Sequence, residues 1–322
     1  MQKTWLRKSA CVAVLALGAS VAHAWPDKMV TVVVPWPAGG PSDIAARPVA
    51  KGLSEALKQP FVIDNKPGAS GNIGSAAVAN APADAHTLLI TASGPIAINK
   101  HLYKKMPFDP QKQLKPVSNL LRVPQVLVVH PSVPANNWEE LKAYIQQQPG
   151  GVTWASAGNG TTQHMTGALL QERTGLKLSH IPYKGSAPAI TDVVGGHVPV
   201  LIDSTIAVVP MIKAGKVKAI AVSGSQRAPH LPEVPTFNES GLPGFESYAW
   251  YGLFAPAGIS AANLQTLNQA TQTYLKSPEF QRVIAETGSD QVASSPEAFE
   301  SFIAAEVARW EALAPKLGLQ LD

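Results

Sequence analysis

An apolar, mostly β-branched run leads into a loop of proline and glycine and then into a helix, and this pattern strongly limits how the chain can fold. The run covers residues 29–34, the loop covers residues 35–41, and Ser42 or Asp43 can cap the helix that follows. Because a strand without a polar side must be covered on both faces, the pattern is typical of a parallel sheet flanked by helices. We therefore predict an α/β fold with the loop at the carboxyl end of a strand. Pro48, inside the helix, should bend it or delay its regular start.

The alternation of strand and helix continues along the chain and divides into two sets. Further strands are predicted over residues 61–64, 87–91, 120–130, 152–157, 178–183, 198–203, 217–222 and 248–255, with helices over 261–276, 278–286 and 296–313. Pro124 interrupts one strand, which suits a connection between lobes better than a central place in a sheet. We predict one lobe from residues 25–123 plus 225–322 and a second lobe from residues 124–224.

The N-terminal segment has the composition of a secretory signal peptide. Three basic residues precede an apolar run at residues 12–22, and Ala22-His23-Ala24 is a small-residue cleavage signal. The apolar run is too short for a comfortable membrane span, although an uncleaved anchor is the alternative. We expect residues 1–24 to be removed and the mature protein to be exported to the periplasm.

Removal of this segment changes what charge and cysteine content imply. The remaining chain has 23 basic and 22 acidic residues and no clustered basic stripe, so nucleic-acid binding is not expected. Cys11 is the only cysteine and leaves with the segment. The mature chain therefore has no disulfide, thiolate metal site or cysteine nucleophile.

The loop at residues 35–41 is the first candidate site. Gly39 and Gly40 allow close approach of a ligand to the backbone, and the following helix start leaves N–H donors unpaired. The loop can therefore hold an anion. It can equally be a tight turn in which the cap residue bonds the free N–H groups of the helix and no ligand is bound. The residues alone leave both interpretations open.

The loop at residues 156–164 repeats this design in the second lobe, with small residues, hydroxyl groups and a helix start after a strand. Gln163 occupies the third glycine position of a dinucleotide-binding fingerprint, so that motif fails. The place of His164 in the first turn of the predicted helix favours a structural role for it. No spacing of histidine and carboxylate residues indicates a metal site. Asp203 ends an apolar strand, where it can cap the next helix or accept a hydrogen bond from a ligand or bound water.

Motifs of common hydrolases and nucleotide-binding enzymes are not found in the chain. It has no G-x-S-x-G elbow, no H-E-x-x-H pair and no Walker lysine. Ser156, His164 and Asp203 could be drawn as a catalytic triad, but nothing in their spacing supports that geometry. A binding protein needs none of these motifs, so we expect no enzyme activity and no cofactor.

Four segments taken together resemble one family of proteins. They are residues 34–43 (VPWPAGGPSD), 64–74 (DNKPGASGNIG), 156–164 (SAGNGTTQH) and 181–185 (IPYKG). Their order, behind the predicted signal peptide, is similar to that of the Bug or TctC family, the solute receptors of tripartite tricarboxylate transporters. The resemblance covers essentially all of the mature chain.

The resemblance implies a two-lobed type II periplasmic-binding-protein fold with crossing strands as the hinge. It also implies a small carboxylate ligand (a di- or tricarboxylate, an acidic amino acid or an aromatic acid), membrane permease subunits as partners, and a monomer. The ligand-binding residues implied in this chain are Trp36, Ala38, Gly39, Gly40, Asp43, Ser93, Gly94, Ser156, Gly160, Thr161 and Asp203. Trp36 stands where the family often has Phe or Tyr, which favours a ligand with an aromatic or longer apolar body. The alternatives are an exported hydrolase on the same scaffold and a receptor that presents its ligand to a sensor kinase.

Overall fold

The computed structural model describes residues 25–321, and the predicted signal peptide lies outside the described residues. The strands are β1 Val30–Val34, β2 Phe61–Asn65, β3 Thr87–Ala92, β4 Leu114–Val129, β5 Val152–Ser156, β6 Leu178–Pro182, β7 Val200–Ser204, β8 Lys218–Val222, β9 Tyr248–Pro256 and β10 Asp290–Gln291. The helices are α1 Pro41–Leu57, α2 Asn72–Ala79, α3 Pro110–Gln113, α4 Trp138–Gln146, α5 Thr162–Thr174, α6 Ser186–Val194, α7 Thr205–Lys213, α8 Ala261–Leu275, α9 Pro278–Thr287 and α10 Pro296–Leu313. In this part of the chain, no helix is both long and apolar enough to cross a membrane.

The strands lie in the order β2-β1-β3-β9-β4-β7-β5-β6, and β8 and β10 also pair with β4. In the first lobe, β1 runs parallel to β2 and β3, and β9 runs antiparallel to β3. In the second lobe, β5 runs parallel to β6 and β7. Each lobe thus has its own group of parallel strands, and the predicted α/β class is confirmed.

Strand β4 belongs to both lobes. Its residues from Leu114 to Pro124 pair with β9, and those from Gln125 to Val129 pair with β7. The predicted interruption at Pro124 is wrong, because the strand is continuous and paired on both sides of this residue. Proline has no N–H to donate, and it lies where the strand changes neighbours. The exact limits of the lobes stay a prediction.

The C-terminal helices pack on the first lobe. Leu267 and Leu275 of α8 share a buried cluster with Val32 of β1. Phe299 of α10 shares another with Val33 of the same strand. The two faces of β1 are therefore covered by different helices, which explains why this strand carries no polar side.

Helix α1 begins differently from the prediction. Gly40 is its N-cap, without a side-chain hydrogen bond, so neither Ser42 nor Asp43 caps it. Pro41 is the first helical residue, where its fixed φ fits the helix and its missing N–H costs nothing. The helix continues through Pro48, which therefore does not delay its start.

Close contact between α1 and α8 leads to a test of the packing. A Cβ atom built on Gly52 would lie 2.0 Å from Cδ2 of Tyr274. For Gly52→Ala we expect a net loss of about 1–2 kcal/mol in the free energy of unfolding, because overpacking outweighs the higher helix propensity of alanine. Urea unfolding measures it. Gly150→Ala is the control, since its Cβ would have no atom within 4 Å, and equal stability of both variants would contradict the packing described.

Candidate functional site

A cavity lies between the two lobes at the carboxyl ends of β1, β3, β5 and β6, and we call it the central cavity. It contains about 570 Å³ of empty space, including its open mouth. It is lined by Trp36, Pro37, Ala38, Gly40, Pro41, Ser42, Ala92, Gly94, Ala157, Thr161, Thr162, Gln163, Gly185, Ser186, Ala187, Pro188, Ala249 and Tyr251. Both lobes contribute to its wall, so its shape depends on how they meet.

Three helices begin at the central cavity. Its wall includes Pro41 and Ser42 of α1, Thr162 and Gln163 of α5, and Ser186 and Ala187 of α6. The helices are 17, 13 and 9 residues long. The first N–H groups of a helix lack partners within it and carry the positive end of its dipole. Three such ends at one cavity favour an anion there.

The wall of the central cavity contains no charged side chain. Its side-chain polar groups are the hydroxyls of serine, threonine and tyrosine and the amide of Gln163, and most of the other lining residues are alanine, proline or glycine. An anion in this cavity would therefore be held by neutral donors and helix dipoles. No lysine or arginine lies in the wall to form an ion pair with it.

Asp43 shapes the loop of the first lobe from within the protein. Its carboxylate accepts hydrogen bonds from the Gly39 N–H at 2.8 Å, Arg47 Nε at 2.8 Å and Asn65 Nδ2 at 3.0 Å. Burial alone would raise the pKa of Asp43, but these hydrogen bonds outweigh it and lower the pKa. Asn65 also donates to the Trp36 carbonyl at 3.0 Å, which ties the loop to β2. Asp43 thus positions the loop.

Two histidines support the loop of the second lobe. The Ser156 hydroxyl and His180 Nε2 are hydrogen-bonded at 2.6 Å, and the Gly160 N–H donates to His164 Nδ1 at 3.2 Å. The two imidazole rings stack with their centroids 4.1 Å apart, and Trp154 lies against His180 at 4.4 Å. Because Nδ1 of His164 accepts this bond, the ring must be neutral to hold the loop.

Burial keeps both imidazoles uncharged. It lowers the pKa of His164 to about 4. The pKa of His180 is lowered to about 3, first by burial and then by the neighbouring His164. The predicted structural role of His164 agrees with these contacts, since its ring nitrogen binds the backbone of its own loop.

Asp203 lies behind the wall of the central cavity and is fully buried. Its Oδ1 accepts hydrogen bonds from Gln163 Nε2 at 2.9 Å and from the Ser204 N–H at 2.7 Å. Oδ2 has no hydrogen-bond partner among the described residues. Burial raises the pKa of Asp203, and the hydrogen bonds to it oppose that rise. Through Gln163, the carboxyl group orients a side chain that does line the cavity.

Direct contacts join the lobes beside the central cavity. The hydroxyls of Ser93, after β3, and Thr162, at the start of α5, share a hydrogen bond of 2.7 Å. The Ser70 hydroxyl donates to the Asn159 carbonyl. These bonds cross the cleft, so they would have to break when the lobes separate.

Residues 45–319 match the receptor family of tripartite tricarboxylate transporters, TctC. The chain belongs to this receptor family. Three solved structures support the assignment and confirm the predicted two-lobed fold. Periplasmic binding protein BugD is 35% identical with a TM-score of 0.87, over 92% of this chain and 99% of BugD. An R. palustris protein with adipate is 36% identical with a TM-score of 0.89, over 92% and 99% of the chains. MatC from Rhodopseudomonas palustris with bound malate is 32% identical with a TM-score of 0.85, over 90% and 99%.

The predicted ligand-binding residues of this TctC-family receptor fall into two groups. Those in the wall of the central cavity are Trp36, Ala38, Gly40, Gly94 and Thr161. Those outside the wall are Gly39, Asp43, Ser93, Ser156, Gly160 and Asp203, which hold loops or join the lobes. Direct contact of either group with ligand stays a prediction.

Several wall residues were not predicted. Ser186 and Ala187 begin α6, after a glycine that follows strand β6. This is a third copy of the strand, glycine loop and helix pattern, so the sequence carried a signal for it. Tyr251 lies within β9 and reaches the wall only because that strand pairs with β3 and β4. No local pattern marks such a residue.

The geometry of the receptor does not assemble the triad drawn from its sequence. Ser156 is hydrogen-bonded to His180 rather than to His164, and it is absent from the wall of the central cavity. Asp203 is hydrogen-bonded to Gln163 and Ser204. A hydrolase would need its nucleophile exposed to substrate and its base oriented by a carboxylate.

The neutral His164 and His180 predict how the stability of the receptor depends on pH. The unfolded chain, with a histidine pKa of about 6.5, binds protons before the folded chain does. The free energy of unfolding that these rings contribute should therefore fall as pH drops from 6.5 towards 4. His180→Gln should flatten this slope, measured by urea unfolding at several pH values.

Because the pKa of Asp203 is raised in the folded protein, this residue makes the free energy of unfolding rise as pH falls. The effect is present in both the wild type and His180→Gln, so it cancels when their slopes are compared. An unchanged slope in His180→Gln would show that this ring does not stay neutral in the folded protein.

Proposed function

We propose that this receptor captures a small carboxylate between its lobes in the periplasm and delivers it to the membrane permease of a tripartite tricarboxylate transporter. The observation that carries the proposal is the meeting of three helix N-termini at one cavity without charged side chains. A carboxylate matches such a site, because its oxygens accept several N–H and O–H bonds at once. The signal-like composition of residues 1–24 supports export.

The chemistry of the wall narrows the ligand class. No Asp or Glu lines the central cavity, so no carboxylate in its wall would form an ion pair with the ammonium group of an amino acid. Apolar and small residues make up most of the surface between the helix starts. This favours a carboxylic acid with an apolar body over an amino acid. The related structure with adipate is consistent with an apolar body, and the structure with malate is consistent with a carboxylic acid that is not an amino acid.

Capture and release follow from the contacts between the lobes. Closure brings α1 of the first lobe to α5 and α6 of the second lobe, so the complete anion site exists only when the lobes meet. The cross-cleft bond between Ser93 and Thr162 stabilises that state without a charged pair. When the lobes separate, the ligand loses the hydrogen-bond donors of one lobe and can leave.

A charge placed at one helix start tests the anion site. Ala187→Asp adds a carboxylate to the first turn of α6, where it should stabilise the helix slightly and repel a bound anion. We expect at least about a tenfold loss of carboxylate affinity. Isothermal titration calorimetry with a panel of mono-, di- and tricarboxylates on the mature protein measures it.

Ala262→Asp is the matched control, because Ala262 holds the same position in the first turn of α8 and does not line the cavity. It should leave affinity unchanged. Equal affinity in wild type and Ala187→Asp would refute the helix-start site. Hydrolysis of an ester or peptide, with no carboxylate bound, would refute the receptor proposal itself.

A further inference from the structure

A groove lies on the opposite face of β9 from the central cavity, and we call it the rear groove. Ala249 and Tyr251 line the central cavity, whereas Tyr248 and Trp250 line the rear groove. This alternation follows from the strand, because its successive side chains point to opposite faces. The groove contains about 1170 Å³ of empty space, including open solvent. Strand β9 therefore forms part of the wall of both spaces.

Both lobes contribute to the rear groove. Phe302 and Arg309 belong to α10, which packs on the first lobe. Glu246 also lines the groove, and the hydroxyl of the next residue, Ser247, shares a hydrogen bond of 2.6 Å with that of Thr166 in α5 of the second lobe. Arg309 Nη2 donates to the Glu246 carbonyl at 2.8 Å and so bridges the two walls. The shape of the groove therefore depends on the angle between the lobes.

Exposed apolar side chains distinguish the rear groove from the rest of the surface. Phe302 is 38% exposed, although its ring packs on Trp250 and Phe299 with centroids 5.6 Å and 6.4 Å away. Val292, also 38% exposed, lines the same groove. Large apolar side chains this exposed are few in the described part of the chain, and two of them meet here. Exposed apolar surface of this kind, with tryptophan, tyrosine and arginine around it, is typical of protein interfaces.

The charges of the rear groove indicate what a partner must bring. Arg122 forms an ion pair with Asp290 at 3.0 Å, and Arg309 forms one with Glu306 at 3.4 Å. Glu246 is exposed, and its carboxylate forms no ion pair with the residues described. The arginines are thus neutralised by the protein itself, whereas one negative charge is not. A matching partner carries a basic side chain beside an apolar one.

We propose that the rear groove is a docking surface for a periplasmic segment of the membrane permease, which packs an apolar side chain on Phe302 and places a lysine or arginine at Glu246. The inference rests on the proposed function for the identity of this partner. Because both lobes form the groove, docking of the segment is coupled to the angle between the lobes, and so is capture of the carboxylate. By linkage, the permease can then select the loaded receptor over the empty one.

The test measures uptake of a radiolabelled carboxylate, the tightest binder of the calorimetric panel, by cells of the source bacterium in which a variant replaces the native gene. Uptake is normalised to the amount of receptor in the periplasm. Phe302→Glu and Glu246→Lys should each lower the initial rate at least about tenfold, because one loses an apolar anchor and the other reverses a charge. Glu246→Asp should keep most of the uptake. Calorimetry on the purified variants should give wild-type affinity, since neither residue lines the central cavity.

Two matched controls separate the rear groove from the rest of the surface. Val62→Glu changes an exposed apolar residue of β2, and Glu233→Lys reverses an exposed charge between β8 and β9; neither residue lines the groove. Both should keep wild-type uptake. Full uptake in Phe302→Glu and Glu246→Lys, an equal loss in the controls, or a parallel loss of carboxylate affinity would overturn the docking surface. Absence of carboxylate binding or uptake with the wild-type protein would instead overturn the proposed function.

Discussion

The positive ends of three helices converge on one cavity that contains no charged side chain. The direction of the strands and the contact between the lobes bring these helix ends together. A helix N-terminus reaches such a site only when its preceding strand ends there, so β5 and β6, which lead into α5 and α6, must run parallel. Helix α1 comes from the first lobe, whereas α5 and α6 come from the second. The full positive potential therefore depends on contact between the lobes, and under the proposed function this contact couples binding to closure.

Ionisable residues surround the central cavity but are engaged by the protein itself. Asp43 is paired with Arg47, Asp203 orients Gln163, and the neutral His164 accepts a bond from its own loop. Each of these groups fixes the backbone or a neutral side chain at the wall. These ionised and ionisable groups are thus kept outside the wall, and an anionic ligand bound in the cavity would meet helix dipoles instead. Attraction of this kind can be strong enough for capture and still allow release.

The sequence predicted the strands and helices well because their apolar patterns are local. The β-branched run at residues 29–34 and the glycine loops required only neighbouring residues to be recognised. The predictions were wrong where contacts with other parts of the chain decide the local structure. Pro124 looked like an interruption, but β4 continues because its partner changes from β9 to β7 at that point. Asp43 looked like a helix cap, but its carboxylate turns back to Gly39 and across to Asn65.

By itself, the sequence determined the class of fold, the family and the chemistry of the loops, since proline, glycine and hydroxyl residues after an apolar strand have local consequences. It could not determine which loops meet. The tertiary structure placed Ser186 and Ala187 of α6 in the same wall as Trp36, and it brought Tyr251 there from the middle of β9. It also gave Ser156 and Asp203 different hydrogen-bond partners, His180 and Gln163, although the sequence allowed both residues to belong to one triad. The physical reason is that strand order and lobe contact depend on pairings between distant residues, and no local pattern encodes these pairings.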